Sequence, residues 1–594
     1  MKKFLVLVLV LVLALGNLTS CIENGTDSKD TTKAQTEQTE ETTEKETETE
    51  VKNEDTTSGK AETSGETEPS EKSETSGGAE TETGAGLLEG SEGLAFTLIN
   101  DGAAYSVTNY TGTATDVTIP SVYEGLPVTE IGEKAFYCNR AITSVHIPSS
   151  VTNICGWAFA SCSALENVSI DENSQLTNIS EAAFCDCRIL ASINIPDSVT
   201  SIGDKAFKSC RAWTGIDLPD GITHIGIEAF YATGDYINDD NWIDNVLYIG
   251  NHLIQAEKFT AGICEIREGT VSIADYAFEG CVSLGSVVVP EGVRNIGTGA
   301  FANCTLLRAV TLPEGITRIP DSAFFSCKFL TSVNIPDSVT SIGVSAFFFC
   351  YELTNVEIPG GVTSIGRNAF YSCYSLTSIN IPGGVADISK DAFHGCSSIT
   401  SIELSKGIVS IGEGAFSGCT AVTNLEIPDS VTSIGSRAFW NCESITNLNI
   451  PESVISIGES AFSRCAGLAN ITVAENNPSF KSENGTLYTK DGSALIIYAA
   501  QNPATSFTVP SGVTSICGGA FSMNSNLVSV DIPSSVTSIG DEAFIYCYYL
   551  ATINYEGTEA QWAEITKGID WDPSMDVNGD PNFYTIVYNC VFSN

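Results

Sequence analysis

The sequence predicts an α/β repeat solenoid: stacked 23-residue rungs, each with a short strand and a short helical turn, behind a disordered acidic tether. Three observations predict it. Within the repeats Ala-Phe recurs in sixteen copies, with the Phe at 136, 159, 184, 207, 230, 278, 301, 324, 347, 370, 393, 416, 439, 462, 521 and 544. From Phe278 to Phe462 the spacing is 23 residues for eight consecutive steps. Self-similarity at one fixed period is the mark of a repeat architecture. Within each period, apolar and polar residues alternate up to a Pro, as in Ser332-Val333-Asn334-Ile335-Pro336. Residues 22–86, by contrast, are Thr, Glu, Ser, Lys and Gly with almost no large apolar residue.

The chain begins with Met1-Lys2-Lys3 and an unbroken apolar run of 12 residues from Phe4 to Leu15. That run is shorter than the ~20 residues needed to span a bilayer, and it fits the apolar region of a secretion signal. Leu18-Thr19-Ser20-Cys21 follows and resembles the bacterial lipobox, which implies cleavage before Cys21 and lipidation of that residue. A plain cleaved signal is the alternative. The signal is therefore assigned to 1–20 and the lipidated Cys with its tether to 21–92. A stretch this poor in apolar residues cannot offset its ordering entropy. As a flexible coil, residues 22–86 span on the order of 45 Å.

Residues 331–353 serve as the type rung. Val333 and Ile335 alternate with polar neighbours, which is strand spacing with one face buried. Pro336 has no amide proton and should end the ladder. Val339 and Ile342 return inward, and Ala346, Phe347 and Cys350 lie three to four apart, which suits a short helical turn. One rung cannot enclose its own apolar side chains, so the stack is the folding unit. The Gly after Ile342 is replaced elsewhere in its column by Cys155, Ser180, Ala274, Pro320, Ser389 and Cys517. Pro fixes φ near −65°, so the column does not require left-handed backbone; close packing against the next rung is the expectation.

Two Phe-to-Phe gaps are long, 230 to 278 and 462 to 521. They predict insertions near 231–265 and 474–510. Asn245-Val246-Leu247-Tyr248 and Gly485-Thr486-Leu487-Tyr488 lead into strand-like alternation, and Lys490-Asp491-Gly492-Ser493 is a hairpin turn signal. Both are read as β-rich elaborations of a rung.

The repeating motif I-x-I-P-x-x-V-T-x-I-G-x-x-A-F-x-x-C-x-x-L resembles the bacterial BspA-like leucine-rich repeat family over about 100–590. The flanks match as well. Asp101-Gly102-Ala103-Ala104-Tyr105 with Tyr123-Glu124-Gly125-Leu126-Pro127 resembles the opening segment of the family. Tyr555-Glu556-Gly557-Thr558 with Gln561-Trp562 resembles the closing one. The resemblance implies a curved leucine-rich-repeat solenoid over 131–554, an N-terminal cap at 93–130 and a C-terminal cap at 555–594. It also implies display at a bacterial surface and, in some members, adhesion.

Composition excludes several functions. Lys+Arg number 28 against 73 Asp+Glu, a formal net charge of −45. Phosphate backbones and anionic lipid surfaces need the opposite sign, so nucleic acid is excluded and membrane contact is expected only through the N-terminal lipid. Four His leave little for a metal or catalytic cluster. Of 20 Cys, nine from Cys281 to Cys465 recur every 23 residues, a structural column of thiols, with a few bridges between rungs as the alternative. Cys185 and Cys187 look like an off-column pair without a second ligand pair. Asp576-Val577-Asn578-Gly579-Asp580 begins like a calcium loop, but Pro581 and Val587 break the pattern. No nucleophile elbow, phosphate loop or zinc-protease motif is present. The chain is read as non-enzymatic, with no catalytic residues, metal or cofactor.

Two surface columns remain as candidate partner contacts. Asn334, Glu357, Asn380, Glu403, Glu426 and Asn449 form a small polar stripe expected on the concave side, with plain solvation as the bland alternative. Phe325, Phe348, Tyr371 and Trp440 directly follow the Ala-Phe pair, with His394 and Ser417 interrupting them. The same column elsewhere holds Ala160, Lys208, Glu279 and Ala302, so the repeat does not demand an aromatic there. Half-burial beside the turn is the alternative to partner contact. The functional expectation is a monomeric, exported, lipid-anchored surface protein that binds an extracellular protein or glycan. The alternative is a structural spacer without a specific ligand.

Overall fold

The computed structural model describes residues 89–573 and 584–592. The signal, Cys21, the tether up to residue 88 and Asp576–Asp580 lie outside the described residues, while Ser91 donates its amide to the Thr118 carbonyl. The described residues belong to one compact unit.

The repeat builds a solenoid in which the type rung is bonded to its neighbours along three lines, although both strand lines are interrupted between Asn355–Ile365 and Ser378–Ile388. In the type rung, Ser332–Val333 pairs parallel with Ala309–Val310 and with Asn355–Val356. Ser341–Ile342 pairs parallel with Arg318–Ile319 and Ser364–Ile365. The sequence reading expected one strand per rung; there are two, because the chain is extended again where it leaves Val339 for Ile342.

The third line replaces the expected helical turn. Among the described residues the helices are Glu559–Glu564 and two short 3-10 segments, all outside the regular rungs. The stretch after Ile342 is a chain of tight turns. Ala346, Phe348 and Cys350 donate their amides three residues back, to Gly343, Ser345 and Phe347. The alternate amides of Ser345, Phe347 and Phe349 donate instead to the carbonyls of Arg367, Ala369 and Tyr371 on the next rung. Ser345 (φ 54°) and Phe349 (φ 60°) are left-handed. An α-helix satisfies its own amides; here half of them are diverted to the neighbour, so the spacing that suggested a helix belongs to a ladder of turns.

Parallel strands lie ~4.8 Å apart, so identical side chains stack. Phe347 lies 5.2 Å from Phe324 and 5.1 Å from Phe370, with planes within 10° and 9°. Val339, Ile342, Ala346, Phe347, Cys350 and Leu353 are all buried. The Cys350 thiol donates to the Phe324 carbonyl of the preceding rung at 3.2 Å, which also accepts the Cys327 amide. All 19 described cysteines are free thiols. Cys187 makes the same contact with Phe159 at 3.1 Å, so of the Cys185–Cys187 pair it belongs to the column and Cys185 lies off it. Gly343 has the close approach expected: a Cβ there would stand 2.5 Å from the Asp321 amide nitrogen.

The insertions are β-rich and act as splices. Trp242–Ile243, Val246–Ile249 and His252–Ala256 form antiparallel pairs, and the last then joins Ser272–Ile273 in parallel. All four residues of Val246–Ile249 are buried. Leu247 and Ile249 join the core of the preceding rungs, Val246 and Tyr248 that of the following ones. Phe480–Glu483, Thr486–Thr489 and Ala494–Tyr498 repeat the arrangement and join Ser515–Ile516.

Both ends are closed by aromatic side chains. Phe96 stacks on Tyr123 at 4.0 Å, with Tyr105 edge-on at 5.0 Å from Tyr123. At the other end Thr558 and Gln561 form a reciprocal cap for helix Glu559–Glu564, whose buried Trp562 packs 5.1 Å from Tyr555. Terminal rungs must cover an otherwise open core.

Candidate functional site

The column after Ala-Phe sits on the turn ladder, where the left-handed residues turn its side chains outward beside the buried Phe. Phe325, Phe348 and Tyr371 are half-buried. Their rings form a stack: Phe325 to Phe348 is 5.1 Å at 5°, and Phe348 to Tyr371 is 4.7 Å at 15°. His394, read from the sequence as an interruption, continues it, 4.5 Å from Tyr371 and 5° from parallel. A neutral imidazole is flat and aromatic, and partial burial lowers the His394 pKa and favours that neutral form; the Asp391 carboxylate 3.8 Å away works in the opposite direction. No signal in the sequence distinguished a stacking His from a gap.

Trp440 is not part of this stack. Ser417, buried at the intervening rung, breaks it. Trp440 instead carries the Arg464 guanidinium at 4.6 Å, which also lies 4.9 Å from Tyr546 and is paired with Glu542 at 2.9 Å. The chain itself covers that ring. At the other end the stack stops at Ala302, which is buried. The exposed side is widened by Phe349, 4.2 Å from Phe348, and by Tyr351 stacked on Tyr374 at 5.1 Å. Tyr374 is 46% exposed.

Asn334, Glu357, Asn380, Glu403, Glu426 and Asn449 are all exposed on the face of the first strands. Cross-rung contacts there are local, such as Thr472 Oγ1 donating to Asn449 Oδ1 at 3.1 Å. The two candidate columns lie on different lines of the rung and do not form one site. Among the described residues no group of three or more His, Cys, Asp or Glu could hold a metal ion, and no helix is long and apolar enough to cross a membrane.

Comparison with known proteins follows this geometry. The family model described as BspA type leucine rich repeat region matches residues 129–260, 271–400, 386–484 and 497–565. Among solved structures, the chain is similar to a leucine-rich repeat protein from Bacteroides ovatus (25% identity, 65% of this chain and 94% of that one, TM-score 0.32). It is also similar to a leucine rich cell surface protein from Faecalibacterium prausnitzii (23% identity, 82% and 99%, TM-score 0.29). A third is the pneumococcal vaccine antigen PcpA (15% identity, 79% and 72%, TM-score 0.20). No curated protein matches the chain.

Proposed function

Because the chain belongs to the BspA-type leucine-rich repeat family, with matches over most of its length, we propose that it is a bacterial cell-surface binding protein that holds an extracellular protein partner through the Phe325–Phe348–Tyr371–His394 stack. The observation that carries this reading is the confinement of the stack. It covers four successive rungs and ends on buried small residues, Ala302 and Ser417, at either side. Rungs without it fold by the same ladder, so stability common to all rungs does not account for it. Aromatic side chains concentrated on one outer surface favour interface formation.

A protein suits the stack better than a glycan. Sugar rings dock on aromatic faces, and these faces lie against one another; the ring edges point outward. The polar stripe from Asn334 to Asn449 offers a second contact line on another face. The scaffold carries no catalysis and uses no cofactor in this reading. The chain is exported, acts as a monomer, and is held at the outer face by lipid at Cys21. The competing reading is a surface spacer without a ligand.

The test compares the wild-type chain with a Phe325→Ser, Phe348→Ser, Tyr371→Ser variant. Each is applied to immobilised matrix proteins, mucin and bacterial surface extracts. Saturable binding lost in a folded variant supports the reading. Equal binding by the folded variant places the contact elsewhere, and no saturable binding by the wild type leaves the spacer.

A further inference from the structure

The first insertion interrupts the sheet of first strands, and the two edges it creates are treated differently. On the preceding rung, the amides of Gly215 and Ile216 donate to the carboxylate of buried Asp235 at 2.8 and 2.6 Å. That edge is closed by a side chain. On the following rung, strand Gly262–Glu265 pairs only with Leu284–Val288. Gly262 and Ile266 donate their amides to Ser283 and Val288, toward the stack. Backbone groups alternate in direction along a strand, so the N–H and C=O of Ile263 and Glu265 point the other way. Among the described residues nothing pairs with that side. Native sheets rarely leave an edge open without covering or blunting it.

The open edge borders a cavity of about 670 Å³, whose lining includes Ile243, Asp244, Tyr248, Thr260, Ile263 and Glu265. Thr260 is 4% exposed and its hydroxyl has no hydrogen-bond partner. Two apolar side chains there are left to solvent, Ile243 at 44% and Ile263 at 55% exposure. Arg267, the basic residue of the lining, is already engaged: its guanidinium lies 4.4 Å over Tyr248 and donates to the Gly250 carbonyl. Asp244 and Glu265 are exposed and in no ion pair among the described residues.

We infer that this cavity receives an extended peptide segment of another protein, which adds as a strand to the free edge at Ile263 and Glu265. Main-chain hydrogen bonds supply affinity in strand addition, and pockets for alternate side chains supply selectivity. Here the apolar position meets Ile243 and Ile263, and the flanking positions are basic, opposite Asp244 and Glu265. The chain's net charge of −45 favours the same sign of partner. The site is separate from the aromatic stack and stands whether or not that stack binds.

The probe is a fluorescein-labelled, end-blocked Lys-Val-Lys-Val-Lys-Val peptide titrated against the full chain by anisotropy. Saturable binding is expected. Ile263→Pro removes the outward amide and leaves the amides that face the stack, and should weaken binding at least tenfold with an unchanged circular dichroism spectrum. The same peptide N-methylated at alternate residues should also lose at least tenfold on the wild-type chain, and this arm decides if Ile263→Pro does not fold. Glu265→Lys should reverse the preference between this peptide and its Glu-Val counterpart. The Phe325/Phe348/Tyr371 variant should bind unchanged. No saturable binding, or N-methylated peptide bound as tightly as the parent, overturns strand addition. An acidic peptide preferred by the wild type overturns the charge assignment.

Discussion

Phe347 and Phe348 are consecutive in the chain and sit on opposite sides of the turn ladder: Phe347 is fully buried between Phe324 and Phe370, while Phe348 stacks outside between Phe325 and Tyr371. The amide of one donates to the next rung and that of the other closes a local turn.

That relation predicts unequal costs. Phe347→Ala leaves a cavity in a column that cannot collapse without moving its neighbours, and should destabilise by about 3–5 kcal/mol. Phe348→Ala removes a half-exposed ring and its stacking, and should lose about 1–2 kcal/mol. Urea unfolding of the two variants measures the difference. Equal losses would make the outer stack part of the core.

The thiol column predicts a dependence on alkaline pH. Burial pushes Cys281 up to about 11 and Cys465 and Cys547 up to about 12. An unfolded thiol ionises near ~8.5. The folded values are raised, so the thiol contribution is complete below ~8.5 and is lost as pH climbs toward the folded values. Unfolding free energy should fall steadily above that point, and Cys→Ala changes in the column should flatten the fall. At pH 8 a maleimide should label exposed Cys138 quickly, with the column thiols reacting only after unfolding. Rapid labelling of Cys350 in the native state would sink this.

Much of this was legible because period and register are properties of sequence. The 23-residue spacing gave the stack, the Pro-ended alternation gave the first strand, and the exposure of Asn334 through Asn449 followed from it. What failed did so where one spacing fits two backbones. Ala346, Phe347 and Cys350 point inward equally from a helical turn and from turns with left-handed Ser345 and Phe349, and only inter-rung bonding decides between them. Trp440 was grouped with Phe325 by register, yet its neighbour is Arg464, and Ser417 separates it from His394. The free edge at Ile263 has no sequence signature, because it depends on what the insertion fails to pair.

The lipid anchor proposed at Cys21 predicts a simple fractionation result. Cys21→Ser should abolish lipid labelling and move the chain from the membrane fraction to the medium, since one thiol and its new amine are the attachment points expected from Leu18-Thr19-Ser20-Cys21. Membrane retention unchanged by the substitution would favour a different anchor. A single acyl chain holds only marginally, so the full modification of a bacterial lipoprotein is required for stable retention.

The cap at the broken sheet gives the last prediction. Asp235 is 7% exposed and takes the Gly215 and Ile216 amides, one on each carboxylate oxygen. Asp235→Ala leaves two donors without partners, where Ile216 is buried and Gly215 is turned into left-handed backbone at φ 66°. An unsatisfied buried donor costs about 1–3 kcal/mol, and the amide of exposed Gly215 can turn to water, so the variant should lose about 1–3 kcal/mol. Asp235→Asn keeps one acceptor oxygen and should fall between the two. Hydrogen exchange tests the locality: the Gly215 and Ile216 amides should exchange faster in Asp235→Ala, while the Phe347 amide, held by Ala369 several rungs away, should be unaffected. If both regions loosen together, Asp235 supports the whole stack rather than one edge. If neither does, water replaces the carboxylate, and the edge at Gly215 and Ile216 is as free to pair as the one at Ile263.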